Sequence, residues 1–182
     1  MTRPAKIDFR RIELLVLDVD GVLTDGRIVL TPAGDEIKSF HVRDGSGMKY
    51  WKRVGRRLAV ISGRGSEAVL RRAQELDVDA VRLNAKDKLP ALEDVWRQLD
   101  CTPGRSAVIA DDLPDLPLMR HCAFAAAPAD AVREVKSAAD YVARLRGGQG
   151  CVREVIEMLL KKAGLWKTIL ARYAPAEKEA RR

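Results

Sequence analysis

LLVLDVDGVLTDG, residues 14–26, opens as an unbroken apolar run and stops at two aspartates flanking a valine. A short run of this kind, cut off by acidic residues and glycine, predicts a buried parallel strand over 12–17. VIADDLPDLPLM, residues 108–119, repeats the arrangement, with Asp111, Asp112 and Asp115 behind another apolar run. DVDG alone reads equally well as a polar turn, because Asp and Gly both favour turns. Two apolar runs ending in carboxylates need a further reason.

Outward from the first run, GRIVLTPAGDEIKSFHV (26–42) combines a β-rich stretch, a Pro/Gly/Asp turn and an alternating stretch, which predicts a β-hairpin. A short helix is expected over 47–54 and a second buried strand over 57–61, ending at SGRG. Apolar residues at 69, 70, 73 and 76 predict a helix over 66–76. Short strands are expected at 80–83, 106–110, 122–126 and 141–142. Helices are expected over 89–99, from 118, over 129–137 and over 152–163. Alternating strands and helices argue for a three-layer α/β domain with a parallel sheet and right-handed crossovers. No internal repeat, low-complexity tract or dividing linker interrupts the pattern.

The 182 residues suit one domain with a sizeable core, and 47% apolar with 32% charged residues is an ordinary globular mixture. No apolar run approaches the roughly 20 residues of a membrane-spanning helix, and MTRPAKIDFRRIE lacks a signal-peptide core. A cytoplasmic protein without membrane contact is expected. The net charge of +7 suggests nucleic acid until its location is considered. Residues 161–182 carry seven basic and two acidic side chains, so the rest of the chain is near neutral. The expected organisation is therefore one domain over 1–165 and a basic extension over 166–182, read as a solvated, partly disordered end or, through Trp166 and Tyr173, as a packed helix or an arm to a neighbouring site, with no nucleic-acid partner. Cys101, Cys122 and Cys151 are too widely spaced for a zinc motif or a disulfide framework and are expected as buried free thiols. His41 and His121 stand alone, with no catalytic or metal role expected.

Ligands of open α/β sheets bind beyond the carboxyl ends of the strands, and the polar clusters fall there. Asp18 and Asp20 follow the first strand, Ser62 and Arg64 the second, and Asp111, Asp112 and Asp115 the fourth. Lys88 precedes a crossover helix that can reach the same rim. Several carboxylates on one rim repel unless something cationic sits among them. Oxygen donors without His or Cys suit Mg²⁺, which commonly shares its shell with phosphate. One of the Asp18/Asp20 pair can attack as a nucleophile while the other moves protons. Lys88 and the Ser62 hydroxyl can stabilise a transferring phosphoryl group.

DVDGVLTD, SGR, KDKL and DDLPD together resemble the four motifs of the haloacid dehalogenase (HAD) superfamily of phosphotransferases. Within it, DVDGVLTDGRI, FHVRDGSGMK and GGQGCVREV resemble segments of its small, capless sugar-acid phosphatase group, over roughly residues 10–160. The resemblance implies a Rossmann-like HAD core with a hairpin inserted after the first strand and no large cap. It implies Mg²⁺-dependent hydrolysis of a phosphorylated sugar acid, foremost 3-deoxy-D-manno-octulosonate 8-phosphate (KDO 8-phosphate). Position by position, Asp18 would form an aspartyl-phosphate. Asp20 would protonate the leaving oxygen, activate water and lend its backbone carbonyl to the metal. Ser62 would bind the phosphoryl group, and Lys88, rather than Lys86, would stabilise it. Asp111 would complete the metal set of Asp18, Asp20 and Asp111, with Asp112 and Asp115 behind it. Arg64, Thr24, Gly63 and Arg43, in or beside these motifs, are candidate substrate contacts.

Members of this group form homotetramers with hairpins packed together and active sites completed by a neighbour. That answers a physical need, since a chain this short has no cap to exclude water. A hairpin folded back on its own core is the competing expectation. Three positions depart from the group: Ala110 for a glycine before Asp-Asp, Gln149 for an arginine, and Ser46 for a larger residue. None removes a catalytic group, but the last two bear on which sugar acid is bound. The alternatives are a nonulosonate 9-phosphate phosphatase, a non-catalytic oligomerisation module and a receiver-like domain. The retained Asp18 and Lys88 count against the module. A phosphoacceptor on the first strand counts against the receiver.

Overall fold

A computed structural model describes residues 7–174. Six parallel strands form one sheet: β1 (Leu14–Leu17), β4 (Arg57–Ile61), β5 (Ala80–Arg82), β6 (Ser106–Ile109), β7 (Phe124–Ala127) and β8 (Tyr141–Val142). Their order is β5-β4-β1-β6-β7-β8. The first strand of the chain is therefore central, paired on one side in the register Leu14↔Arg57 and on the other as Leu14↔Ser106.

All four residues of β1 are buried, as a strand covered on both faces requires. Successive side chains alternate between faces. Leu15 and Leu17 join a core with Trp51, Val60, Ile109 and Ile156. Leu14 and Val16 join another with Ile61, Leu92, Val95 and Met119. Helices α1 (Val42–Arg53), α2 (Glu67–Glu75), α6 (Cys151–Lys162) and α7 (Trp166–Ala171) contribute to the first core. Helices α3 (Lys88–Gln98), α4 (Leu116–His121) and α5 (Arg133–Ala138) contribute to the second. The result is the three-layer α/β fold expected from the alternation.

Helix α1 begins at Val42, five residues before the expected start. Gly45 and Gly47 weaken the helical pattern in sequence, yet both are there for close packing. A Cβ on Gly45 would fall 2.3 Å from the Arg72 guanidinium, and one on Gly47 would fall 3.1 Å from the Arg153 Cα. Helix α5 begins four residues later than expected, because residues 128–131 form a turn in which Ala131 N–H donates to the Pro128 carbonyl.

The hairpin is present as β2 (Val29–Leu30) and β3 (Glu36–Ile37) around a turn in which Gly34 takes φ +89°. Ile28, Val29, Leu30 and Ile37 are 48–63% exposed. They do not fold back onto the core of their own chain. The three cysteines are free and buried.

The described part of the extension packs as a helix. Helix α7 sends Ile169 into the first core, and Trp166 and Tyr173 both pack edge-on to Tyr50 at 6.1 Å. An apolar face at Leu165, Trp166 and Ile169 outweighs the basic composition that suggested a solvated end. Glu177, Lys178, Glu179, Arg181 and Arg182 lie outside the described residues.

Candidate active site

The carboxyl ends of β1, β4 and β6 open onto a cavity of about 400 Å³. Asp18, Asp20, Ser62, Gly63, Arg64, Lys88, Asp111, Asp112 and Asp115 all line it. Residues more than 90 positions apart thus meet, as the strand-end argument required.

Asp18 leaves β1 with its N–H donating to the Ile109 carbonyl at 3.2 Å, which ties the start of the loop to the neighbouring strand. Three consecutive N–H groups, from Val22, Leu23 and Thr24, then converge on the Val19 carbonyl and turn the chain sharply. Gly21 makes this turn possible at φ +92°, where a Cβ would fall 2.0 Å from an Asp111 oxygen. The glycine is what lets Asp111 approach the β1 loop.

Lys88, buried at the first position of α3, donates to Asp18 and to Asp115, both at 2.7 Å. Burial alone would lower its pKa, but the two carboxylates outweigh that and hold it above the ordinary lysine range. Lys86 also lines the cavity but is exposed, and Lys88 is the lysine that bonds Asp18. One lysine does not neutralise the group. Burial, with the charges of Asp18 and Asp115, pushes Asp111 up to about 8. Burial and Asp18 push Asp115 up to about 6 against the pull of Lys88.

Oxygens of Asp18, Asp111 and Asp115 lie within 4.8 Å of one another. Oδ1 of Asp111 and Oδ2 of Asp115 are buried without a hydrogen-bond partner. An all-oxygen cluster with two orphaned acceptors fits a hard divalent cation such as Mg²⁺. Asp115 joins Asp18 and Asp111 in this side-chain cluster. The Asp20 carboxylate bonds Lys38 at 2.5 Å instead, which leaves the metal contact expected of Asp20 to its backbone carbonyl.

Ser62, 3% exposed, is held by its N–H to the Arg82 carbonyl and by Ala85 N–H donating to its own carbonyl. Its hydroxyl accepts from Arg64 N–H at 3.2 Å. Asp112 is exposed and accepts from Leu113 N–H, opening the turn that carries Asp115. Ala110 is fully buried, outside the positive-φ residues, and its N–H donates to the Ala126 carbonyl. Alanine at this position does not disturb the carboxylate loop.

Two candidate substrate contacts are not at the cavity wall. Thr24 is buried, donating to the Val19 carbonyl and accepting from Gly26 N–H, so its hydroxyl closes the loop. Arg43 lines a separate, larger depression of about 790 Å³ with Arg144, Gln149, Arg153 and Lys161. His41 caps α1 by accepting from Arg43 N–H, and His121 bonds the Pro117 carbonyl.

The two remaining motifs form a joint. Asp44 of VRDG is 1% exposed and accepts from Gly150 N–H at 3.1 Å and Arg153 N–H at 2.7 Å, capping α6. Gly147 and Gly148 press onto the β1 loop, where a Cβ on Gly147 would fall 1.8 Å from the Gly21 carbonyl oxygen. Sequence reasoning missed Lys38 and Glu36. Their only signal was the DEIKSF alternation, which opposes Ile37 to its two charged neighbours.

No family model matches the sequence. The chain is 40% identical over 153 residues to the 3-deoxy-D-manno-octulosonate 8-phosphate phosphatase KdsC of Haemophilus influenzae, covering 84% of this chain and 85% of that one. The Moraxella catarrhalis KDO 8-phosphate phosphatase, solved with magnesium, phosphate and KDO, superposes with a TM-score of 0.89 at 36% identity over 92% of this chain and 96% of that one. A HAD subfamily IIIA hydrolase structure from Legionella pneumophila gives 0.87 at 33% identity, covering 91% of each chain. With the strand-end motifs, the capless parallel core and these relatives in agreement, the chain belongs to the KDO 8-phosphate phosphatase family of the HAD superfamily.

Proposed function

We propose that this protein hydrolyses KDO 8-phosphate to KDO and inorganic phosphate, with Mg²⁺ as cofactor and an aspartyl-phosphate on Asp18 as intermediate. The carrying observation is the buried Asp18–Lys88–Asp115 bridge beside Asp111, at a mouth shared by three parallel strands. An oxygen of Asp18 attacks phosphorus while the bond to the sugar oxygen breaks. Asp20 gives that oxygen its proton. Water then attacks the same phosphorus, its proton goes to Asp20, and the bond to Asp18 breaks, which restores both aspartates. Lys88 offsets charge on Asp18 and the transferring group, and Ser62 with the Gly63 amide holds phosphoryl oxygens. Mg²⁺ held by Asp18, Asp111, Asp115 and the Asp20 carbonyl would draw charge from the phosphoryl oxygens. Arg64, at the cavity wall and 47% exposed, is placed to meet the sugar acid.

The assembly is a homotetramer. Ile28, Val29, Leu30 and Ile37 leave the hairpin with exposed apolar surface that neighbouring hairpins cover, and a two-residue ladder is too small to hold that shape alone. Arg43 and the larger depression belong to surface reached by neighbours rather than to the cavity of their own chain. No described helix is long and apolar enough to cross a membrane, in keeping with a cytoplasmic single-domain enzyme. Phosphate release should be strongest from KDO 8-phosphate in a panel with nonulosonate 9-phosphates and common sugar phosphates, and should vanish in EDTA. Equal rates across the panel would refute the substrate, and metal-independent turnover would refute the mechanism. Sedimentation should give a tetramer.

A further inference from the structure

The catalytic cavity has a second charged group beside it. Lys38, the residue just past the end of β3, donates from Nζ to Asp20 Oδ1 at 2.5 Å and contacts Glu36 Oε1 at 2.7 Å. Its side chain is 1% exposed, and the residue is absent from the cavity wall. It therefore meets Asp20 from behind and touches no substrate. Arg64 stands 3.8 Å from Asp20 Oδ2, beyond hydrogen-bond distance, and 3.5 Å from Glu36 Oε1.

We propose that Lys38 is a positioning residue for Asp20. By clamping Oδ1 it leaves Oδ2 as the oxygen that gives and takes the proton. Asp20 lies in a tight loop whose backbone bonds end at Thr24, and its side chain is 21% exposed. Without the clamp the carboxylate can rotate about its own bonds, swing toward Arg64, or be repelled by Glu36. General acid–base catalysis depends on an oxygen held within hydrogen-bond reach of the proton it moves. Glu36 in turn holds Lys38, so the hairpin strand supplies both clamp and anchor. Val29 and Ile37 pair on the face of the ladder opposite Glu36, so the hairpin carries the Asp20 clamp on one face and an exposed apolar pair on the other.

This inference rests on the phosphatase reading, and the experiment separates the two. Lys38→Met removes the charge and the donor but keeps the stem. With p-nitrophenyl phosphate, formation of the aspartyl-phosphate needs no proton donor, because nitrophenolate leaves unaided, whereas its hydrolysis needs Asp20 as base. The variant should release one equivalent of nitrophenolate in a burst at close to the wild-type rate. A steady state about 10²-fold slower should follow. With KDO 8-phosphate both steps need Asp20, so kcat should fall about 10²-fold with no burst and KM within about threefold. Lys38→Arg, which keeps a cationic donor, should recover to within about tenfold of wild type.

Lys38→Met within about threefold of wild type on both substrates overturns the proposal. So does loss of the burst along with turnover, which marks a collapsed site. If Lys38→Met does not fold, Lys38→Gln is read by the same burst, and failure of both to fold makes the residue structural and overturns the proposal. A wild-type protein inactive on every phosphate overturns the phosphatase reading instead.

Discussion

Two groups of charge stand at the mouth of one cavity and are built on opposite plans. Asp18, Asp111 and Asp115 share a single lysine, Lys88, and leave two buried oxygens without partners. Asp20 and Glu36 share two cations, Lys38 and Arg64, so that group is balanced. Buried like charges raise one another's pKa unless a counter-charge is supplied. The first group is under-neutralised and needs a cation from outside. The second carries matching charges of its own, with only Oε1 of Glu36 lacking a hydrogen-bond partner. The deficit sits behind β1 and β6, and the balance is shared between the loops that carry Asp20 and Arg64 and the hairpin residues Glu36 and Lys38.

The comparison breaks first at Asp18. Asp18→Asn keeps the shape but removes the nucleophile, and should lower phosphate release by about 10⁴-fold or more with circular dichroism unchanged. Turnover near wild type would refute the assignment. Lys88→Met should act on the fold as well. Removing one partner of a buried pair costs about 3–5 kcal/mol, so urea unfolding should shift strongly downward in EDTA.

Mg²⁺ sharpens the contrast. At about 100 times its dissociation constant it should stabilise the wild type by about 2.7 kcal/mol. That gain should disappear in Asp111→Asn and persist in Glu36→Gln, as read by thermal unfolding with and without the ion. Equal loss in both would mean that the two groups act as one. The smallest effect is expected away from both. Asp44→Ala uncaps α6 and leaves the Gly150 and Arg153 amides unpaired, for about 1–2 kcal/mol of stability in urea titration and little change in the Mg²⁺ response.

The parts of this molecule that were legible in sequence are those fixed by local pattern. The strand over Arg57–Ile61 and the fragment Tyr141–Val142 stand where the apolar runs placed them. The hairpin was legible from its turn chemistry, although its strands are shorter than the alternation suggested. The convergence of Asp18, Ser62, Lys88 and Asp111 was legible because strand ends in a parallel sheet share a rim. What was hidden depends on contacts across the fold. Gly45 and Gly47 looked like interruptions because nothing local shows that Arg72 and Arg153 press against them. Lys38 and Asp20 meet across 18 residues and a bend, outside any periodic signal. Thr24 looked available because its position in a motif does not show where its hydroxyl is used. For the segment from Trp166 the sequence left a packed helix and a solvated tail both open, because one short apolar face competes with many charges until its partner Tyr50 is known.

The contact of Gly147 and Gly148 with the β1 loop bears on how the protein is made. Gly148 N–H donates to the Val22 carbonyl at 3.0 Å, and the Cys151 thiol donates to the same carbonyl. Asp18 precedes by more than 120 residues the segment that closes the loop behind it. A ribosome-bound chain that has reached residue 140 already contains Asp18, Ser62, Lys88 and Asp111 and still lacks the groups that bond the Val22 carbonyl. Contacts of such sequence separation form late, after loop-closure entropy has been overcome. Completion of the cavity therefore waits for residues 147–151, and a shorter chain carries its carboxylates on a loop that is not yet closed.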